Sequence, residues 1–215
     1  MTISVVIADD HRMFRQGLRS VLENEDGISV VGEAENGSQA VELCTELSPE
    51  VVVLDVTMPE MSGIVAAKLL QELGQSAKVI FLSMHMDETY IVEALRSGAS
   101  GYVLKESAVD ELVYAIKVVN EGGTYLSPRV TTLVVAKLSG GGLKGETSIF
   151  DILSNREVEI LQLLCEGKSG KEIADTLVLS PKTVENHRAN IMNKLEIRDI
   201  PSLVKFAIRM GLTQP

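Results

Sequence analysis

The feature that most constrains this chain is an alternation running through its first 125 residues. Short runs rich in Val and Ile, at residues 3–8, 29–34, 51–54, 79–82 and 101–104, are separated by amphipathic stretches of helical period, at about 12–23, 37–47, 63–73, 88–97 and 108–121. Runs this short and this apolar suit strands covered on both faces. Five strands alternating with five helices predict a flavodoxin-like, doubly wound five-stranded parallel sheet. The right-handed crossover rule leaves few ways to wind it.

After residue 125 the pattern changes. Ser127-Pro128 reads as a cap followed by proline at the first helical position, predicting a short helix to about residue 138. Residues 139–146, Ser-Gly-Gly-Gly-Leu-Lys-Gly-Glu, read as a flexible linker. The last third is helical in pattern. Ser154-x-x-Glu157 and Ser169-x-x-Glu172 are capping boxes, Ser180-Pro181 opens a third helix, Asp199 caps a fourth, and Gly211 is placed to stop it. Three units follow: residues 1–125, a linker helix and Gly-rich segment at 126–150, and a small four-helix domain at 151–215.

Charge divides along the same line. The whole chain carries −10, which speaks against nucleic acid. Residues 1–130 hold 9 bases against 20 acids (−11), whereas residues 131–215 hold 11 bases against 10 acids (+1). Any nucleic-acid contact in the second part must therefore rest on local placement of charge. No apolar run reaches the ~20 residues of a membrane span. The start, Met1-Thr2-Ile3-Ser4-Val5, lacks the basic region of a signal peptide. Cys44 and Cys165 sit in apolar helical patterns with no Cys or His at ligand spacing, which predicts reduced core thiols in a cytoplasmic protein.

The chemistry lies where the strands end. The first run stops at Asp9-Asp10, the third at Asp55, the fourth at Ser83 and the fifth at Lys105. In an open parallel sheet ligands bind beyond the carboxyl ends of the strands. A single Asp there is ordinarily a turn former; five polar groups on four strand ends are not explained that way. Crowded carboxylates raise one another's pKa, and a hard divalent cation such as Mg²⁺ relieves them. Asp55 is then a nucleophile able to take a phosphoryl group as an acyl phosphate, with Mg²⁺ and Lys105 neutralising its oxygens and Ser83 donating a hydrogen bond.

Asp9-Asp10, the segment Asp55-Val56-Thr57-Met58-Pro59 with Gly63, Ser83, Tyr102 and Lys105-Glu106 resemble the receiver domain of two-component response regulators. The resemblance implies that Asp9, Asp10, Asp55 and the backbone carbonyl of Thr57 bind Mg²⁺. It also implies that Asp55 takes phosphate from a phosphohistidine on a sensor histidine kinase, and that Ser83 and Tyr102 form a switch pair. Phosphate would draw the Ser83 hydroxyl inward and let the Tyr102 ring follow; an amphipathic strand-edge side chain is the plainer reading of Tyr102. Met84 and His85 would flank the phosphoryl group, a bulky Met84 restricting the hydrolytic water.

Residues 169–176, a turn through Leu177-Val178-Leu179 and the helix from Pro181 to about residue 195 have the layout of a helix-turn-helix. Val184, Ile191, Met192 and Leu195 share an inward face, while Lys182, Thr183, Glu185, Asn186, Arg188, Ala189, Asn190 and Lys194 point outward. Basic and amide side chains suit phosphates and base edges. A solvated helix would show the same charge, but the motifs add to it. Leu153-Ser154-x-Arg156-Glu157, Glu166-Gly167-Lys168-Ser169, Lys171-Glu172-Ile173-Ala174, Leu179-Ser180-x-Lys182-Thr183-Val184, His187-Arg188 and Lys194-Leu195 resemble the LuxR/NarL/FixJ-type DNA-binding domain. That implies insertion of the helix from Pro181 into the major groove of double-stranded DNA, as a homodimer on paired half-sites. His187 has no ligand partner at helical spacing and reads as structural or phosphate-contacting. Glu185 and Asn186 stand where some relatives have Lys and an apolar residue, so no target sequence carries over, and Gly170 replaces an Asn and weakens its helix start. Leu203, Ala207 and Met210 lie near one face of the last helix, either pairing two copies or completing the monomer core.

The sequence therefore points to a transcription regulator switched by phosphorylation and not to an enzyme. An Asp-dependent phosphohydrolase would carry an acid/base Asp two residues after its nucleophile, and here that residue is Thr57. A constitutive DNA-binding protein would have no use for the intact set Asp9, Asp10, Asp55 and Lys105.

Overall fold

The computed structural model describes residues 2–84, 86, 88–139, 148–210 and 212, without the side chains of 138, 139 and 209. Residues 140–147 of the Gly-rich segment, His85 and Gly211 lie outside the described residues. The chain begins β1 (Ile3–Ala8), α1 (Arg12–Glu23), β2 (Ile28–Ala34), α2 (Gly37–Leu47), β3 (Val51–Asp55), α3 (Gly63–Glu72), β4 (Lys78–Ser83), α4 (Glu88–Arg96) and β5 (Gly101–Leu104). A 3₁₀ turn at Lys105–Ser107 leads into α5 (Ala108–Asn120), followed by β6 (Tyr125–Leu126) and α6 (Pro128–Ser139).

All strands pair in parallel, in the order β2-β1-β3-β4-β5-β6. Neighbouring strands reverse their order of growth at β1 and β3, so the carboxyl ends of those two strands open a crevice. Every residue of β3 is buried, because α1 and α5 cover one face of the sheet and α2, α3 and α4 the other. The sheet has six strands rather than five. The two-residue β6 forms because the chain leaving α5 returns along β5, where Tyr125 N–H donates to Ser100 O (3.0 Å) and Ser127 N–H to Tyr102 O (2.9 Å).

The second domain comprises α7 (Ile149–Ile152), α8 (Asn155–Cys165), α9 (Gly170–Thr176), α10 (Pro181–Lys194) and α11 (Ile200–Arg209). Among the described residues it has five helices, one more than the four expected. The extra turn, α7, is closed by a capping box between Ser148 and Asp151. Capping boxes start α8 and α9, Ser180 caps α10 and Asp199 caps α11. The box at Ser169 offsets the Gly170 that follows it. Leu203 and Ala207 are fully buried, so they complete the core of their own domain. Cys44 and Cys165 are free thiols, and burial pushes both up to about 12.

Gly63 shows how tightly the crevice is built. Its N–H donates to Val56 O at 3.0 Å. A Cβ on Gly63 would lie 2.0 Å from the Asp55 carbonyl oxygen, a backbone atom that cannot move aside. Gly63→Ala should lower stability by about 3 kcal/mol, the upper range of overpacking costs, read as a fall in the midpoint of denaturant unfolding. An unchanged midpoint would show that the 55–63 loop is not clamped as described.

Candidate functional site

Three carboxylates converge on the crevice. Asp9 follows β1 directly and is completely buried, Asp10 comes next at the surface, and Asp55 ends β3 and is 3% exposed. Lys105, at the end of β5, places its ammonium between two of them, Nζ lying 2.5 Å from Asp55 Oδ2 and 2.7 Å from Asp9 Oδ2. The first pair has hydrogen-bond geometry; Asp9 Oδ2, although buried, receives no hydrogen bond of good geometry and is compensated by charge alone. The backbone of the same aspartate is held by Arg15, whose Nη1 donates to Asp9 O at 2.5 Å. The guanidinium also reaches Glu33 (3.1 Å) and Glu35 (2.9 Å) at the end of β2.

The electrostatics follow from this crowding. Burial pushes the Asp55 carboxyl up to about 7; the Asp9 and Asp10 carboxylates add to the rise and the Lys105 ammonium opposes it. Burial works against the charge of Lys105, but Asp55 and Asp9 outweigh it and hold its pKa above the ordinary lysine value. An acid this reluctant to ionise, crowded by two further carboxylates, is what a hard divalent cation corrects. Asp9, Asp10 and Asp55 meet within one small cluster, one ligand atom from each lying within 4.8 Å of those of the others, and the donor set therefore fits Mg²⁺. The same cluster contains His11, which follows the acidic pair directly. Sequence reading passed over it because its only signal is that adjacency.

Among the remaining expected residues, Thr57 follows β3, Ser83 ends β4 and Tyr102 lies within β5. Thr57 and Ser83 are buried, and Thr57 N–H makes a long 3.4 Å contact to Asp55 Oδ1. Tyr102 is fully buried within the core that α4 and α6 share, so its ring is already inside. Met84 is 72% exposed beside Ser83.

The second domain is seated on this crevice. Gln162 of α8, 1% exposed, donates from Nε2 to Met58 O (2.7 Å) and accepts at Oε1 from Ser62 N–H (2.8 Å). Glu166 Oε1 accepts from Glu60 N–H at 3.0 Å. Ser148 Oγ, at the cap of α7, donates to buried Glu93 of α4 at 2.6 Å, and Lys68 of α3 lies 3.4 Å from the centre of the Phe150 ring. Between the domains runs a cleft of about 190 Å³ lined by Asp10, Thr57, Met58 and Pro59 on one side and Gln162, Glu166 and Leu212 on the other. The loop carrying Thr57 is therefore also the loop the second domain grips. Sequence reading missed Gln162, since a polar residue on an amphipathic helix carries no mark of the partner it meets.

α9 and α10 form the expected helix-turn-helix. Val184 and Ile191 are buried, while Lys182, Glu185, Asn186, Asn190 and Lys194 are exposed and Thr183, His187 and Arg188 half-buried. Lys194 is tied to Glu157 at 2.7 Å, and Glu185 lies 3.8 Å from Arg188. Thr183 engages Ser180 at the helix start. In the connecting turn Val178 has a φ of 53° and is 91% exposed. Contacts that seat the domain come from α7, α8, Lys168 and Leu212, and they leave the outer face of α10 open.

Residues 5–117 match the response regulator receiver domain family, and residues 151–207 match the family of bacterial regulatory proteins of the luxR type. The chain is 37% identical to the transcriptional regulatory protein DegU of Brevibacillus brevis, over 97% of its own length and 94% of the relative's. It is also 37% identical to the oxygen regulatory protein NreC of Staphylococcus carnosus, over 98% and 99%. Among solved structures it resembles the complex of the response regulator RcsB with DNA, with a TM-score of 0.61 and 27% identity over 97% of this chain and 99% of that one. No helix among the described residues is long and apolar enough to cross a membrane.

The raised pKa of Asp55 gives a pH signature. Between its ordinary value near 4 and about 7, the folded protein keeps a proton that the unfolded chain releases. The Asp55 contribution to stability without divalent cations should therefore fall as pH rises through that window and level off above it. Asp55→Asn should flatten the fall, as read from melting temperatures in chelator across pH 4.5–8. A difference between wild type and Asp55→Asn that stays constant across this range would contradict the raised pKa of Asp55.

Proposed function

The chain belongs to the response regulators that join a receiver domain to a LuxR-type DNA-binding domain, and from that premise we propose that Asp55 is the phosphoacceptor controlling whether the second domain stays docked. The bond formed joins phosphorus to an Asp55 carboxylate oxygen. The bond broken joins phosphorus to the imidazole nitrogen of a phosphohistidine on a sensor histidine kinase, and that imidazole leaves with the electron pair. Asp9, Asp10, Asp55 and the Thr57 carbonyl would hold Mg²⁺, which when bound supplies positive charge to the phosphoryl oxygens. Lys105 supplies a second positive charge and Ser83 a hydrogen bond. The observation that carries this reading is the Lys105 ammonium within 2.7 Å of both Asp9 and Asp55 at the strand ends.

Phosphorylation replaces a carboxyl titrating near 7 with a group carrying about two negative charges. Lys105 must then serve phosphoryl oxygens as well as Asp9, and the loop starting at Thr57 must readjust. That loop ends at the Met58 carbonyl and Ser62 amide that Gln162 holds. The phosphorylated state can shift the equilibrium only as far as it disfavours this docked geometry. Once free, the domain would present Lys182, Thr183, Glu185, Asn186, His187, Arg188, Asn190 and Lys194 to the major groove and phosphates of double-stranded DNA, as a homodimer on paired half-sites. Two linked domains gain from high effective concentration.

The test is DNA-affinity sequencing of the full chain with and without beryllofluoride and Mg²⁺, which mimic phosphate on an aspartate. A defined set of sites should be enriched with beryllofluoride, and Asp55→Ala should remove the difference. Identical recovery in both conditions would leave a constitutive DNA-binding protein.

Gln162→Ala removes two buried hydrogen bonds worth about 1 kcal/mol each. It should shift the docking equilibrium about thirtyfold toward the open form. DNA affinity without beryllofluoride should rise correspondingly, measured by fluorescence anisotropy on a recovered site. Unchanged basal affinity would show that docking does not restrain DNA binding.

A further inference from the structure

His11 is the one member of the cation cluster that the expected ligand set leaves out. Its backbone is fixed at the entry to α1, and its own N–H donates to Asp9 Oδ1 at 2.8 Å. Its imidazole Nδ1 lies 2.7 Å from Asp10 Oδ1 and 3.3 Å from Asp9 Oδ1. Lys105 takes up the Oδ2 atoms of Asp9 and Asp55. The Oδ1 atoms of Asp9 and Asp10 are the ones near the ring nitrogen.

The spacing is that of neighbouring ligands on one ion. In an octahedron with arms of about 2.1 Å, adjacent donors stand about 3.0 Å apart and opposite ones about 4.2 Å. The distances of 2.7 and 3.3 Å bracket the first value.

Resting on the reading of this pocket as a cation site, we propose that His11 is a direct ligand and tilts the site from Mg²⁺ toward divalent transition ions. Imidazole nitrogen suits transition metals, whereas Mg²⁺ strongly prefers oxygen. His11 therefore adds to the affinity for a transition ion and little to that for Mg²⁺. If the ring served only as a hydrogen-bond donor to Asp10, its loss would affect both ions alike.

The experiment uses the full chain with Mn²⁺ as the probe, comparing wild type, His11→Gln, which keeps a side-chain donor, and Asp10→Asn. Binding of Mn²⁺ and Mg²⁺ is measured by calorimetry, and the bound Mn²⁺ is examined by electron spin-echo envelope modulation. In wild type the Mn²⁺ signal should carry modulation from a directly bound ¹⁴N. His11→Gln should lose that modulation and bind Mn²⁺ about tenfold more weakly, with Mg²⁺ affinity changed less than twofold. Asp10→Asn should weaken both ions. Saturable Mn²⁺ binding without nitrogen modulation, or modulation that survives in His11→Gln, overturns the role of His11 and leaves the cation site standing. Absence of saturable binding by either ion overturns both.

Discussion

The structure depends on one arrangement of charge: a lysine ammonium held between two buried carboxylates, with a third carboxylate beside them. Lys105 reaches Asp9 and Asp55 from the end of a different strand. Only a parallel sheet whose strands all finish on one edge brings these residues together. The arrangement is balanced rather than neutral. Burial leaves Asp55 titrating near 7, so the pocket responds to any change in charge, including a cation or a phosphoryl group. Arg15 steadies it from behind by tying the Asp9 backbone to Glu33 and Glu35.

The second domain is held through the loop next to that charge and also along α3 and α4. Its grip on the loop is polar, through Gln162 and Glu166, while the surrounding contact is apolar and continuous with the receiver core. The combination gives a seat that is close-fitting yet sensitive, because buried amide hydrogen bonds are lost together when their acceptor loop moves. The outer face of α10 stays open in the docked state. Restraint by docking therefore acts on the freedom of the domain, including its freedom to pair with a second copy, and not by covering the residues that would face DNA.

Much of this was legible in the sequence because it rested on local signals. The periodicity of residues 1–125 located every strand from β1 to β5, and polar residues at the strand ends located Asp9, Asp10, Asp55 and Lys105. Capping boxes at Ser154 and Ser169 marked where α8 and α9 begin. What stayed hidden depended on tertiary contact. β6 is only two residues long and exists through its pairing with β5. The single turn α7 is too short to show a period. Gln162 carries no local sign of the loop it meets, and burial of Leu203 and Ala207 in their own domain could not be separated by pattern from pairing of two copies.

The account turns on whether charge at Asp55 releases the gripped loop. The most direct measurement is the distance between spin labels at Glu42 on α2 and Lys171 on α9, both exposed, read by pulsed double resonance. Cys44 and Cys165, with thiols pushed up to about 12, react slowly with labelling reagents and leave the introduced sites distinct. Without beryllofluoride the distribution should be single and narrow; with beryllofluoride and Mg²⁺ it should shift and broaden. A distribution that stays narrow and unmoved once the mimic is bound would contradict the account.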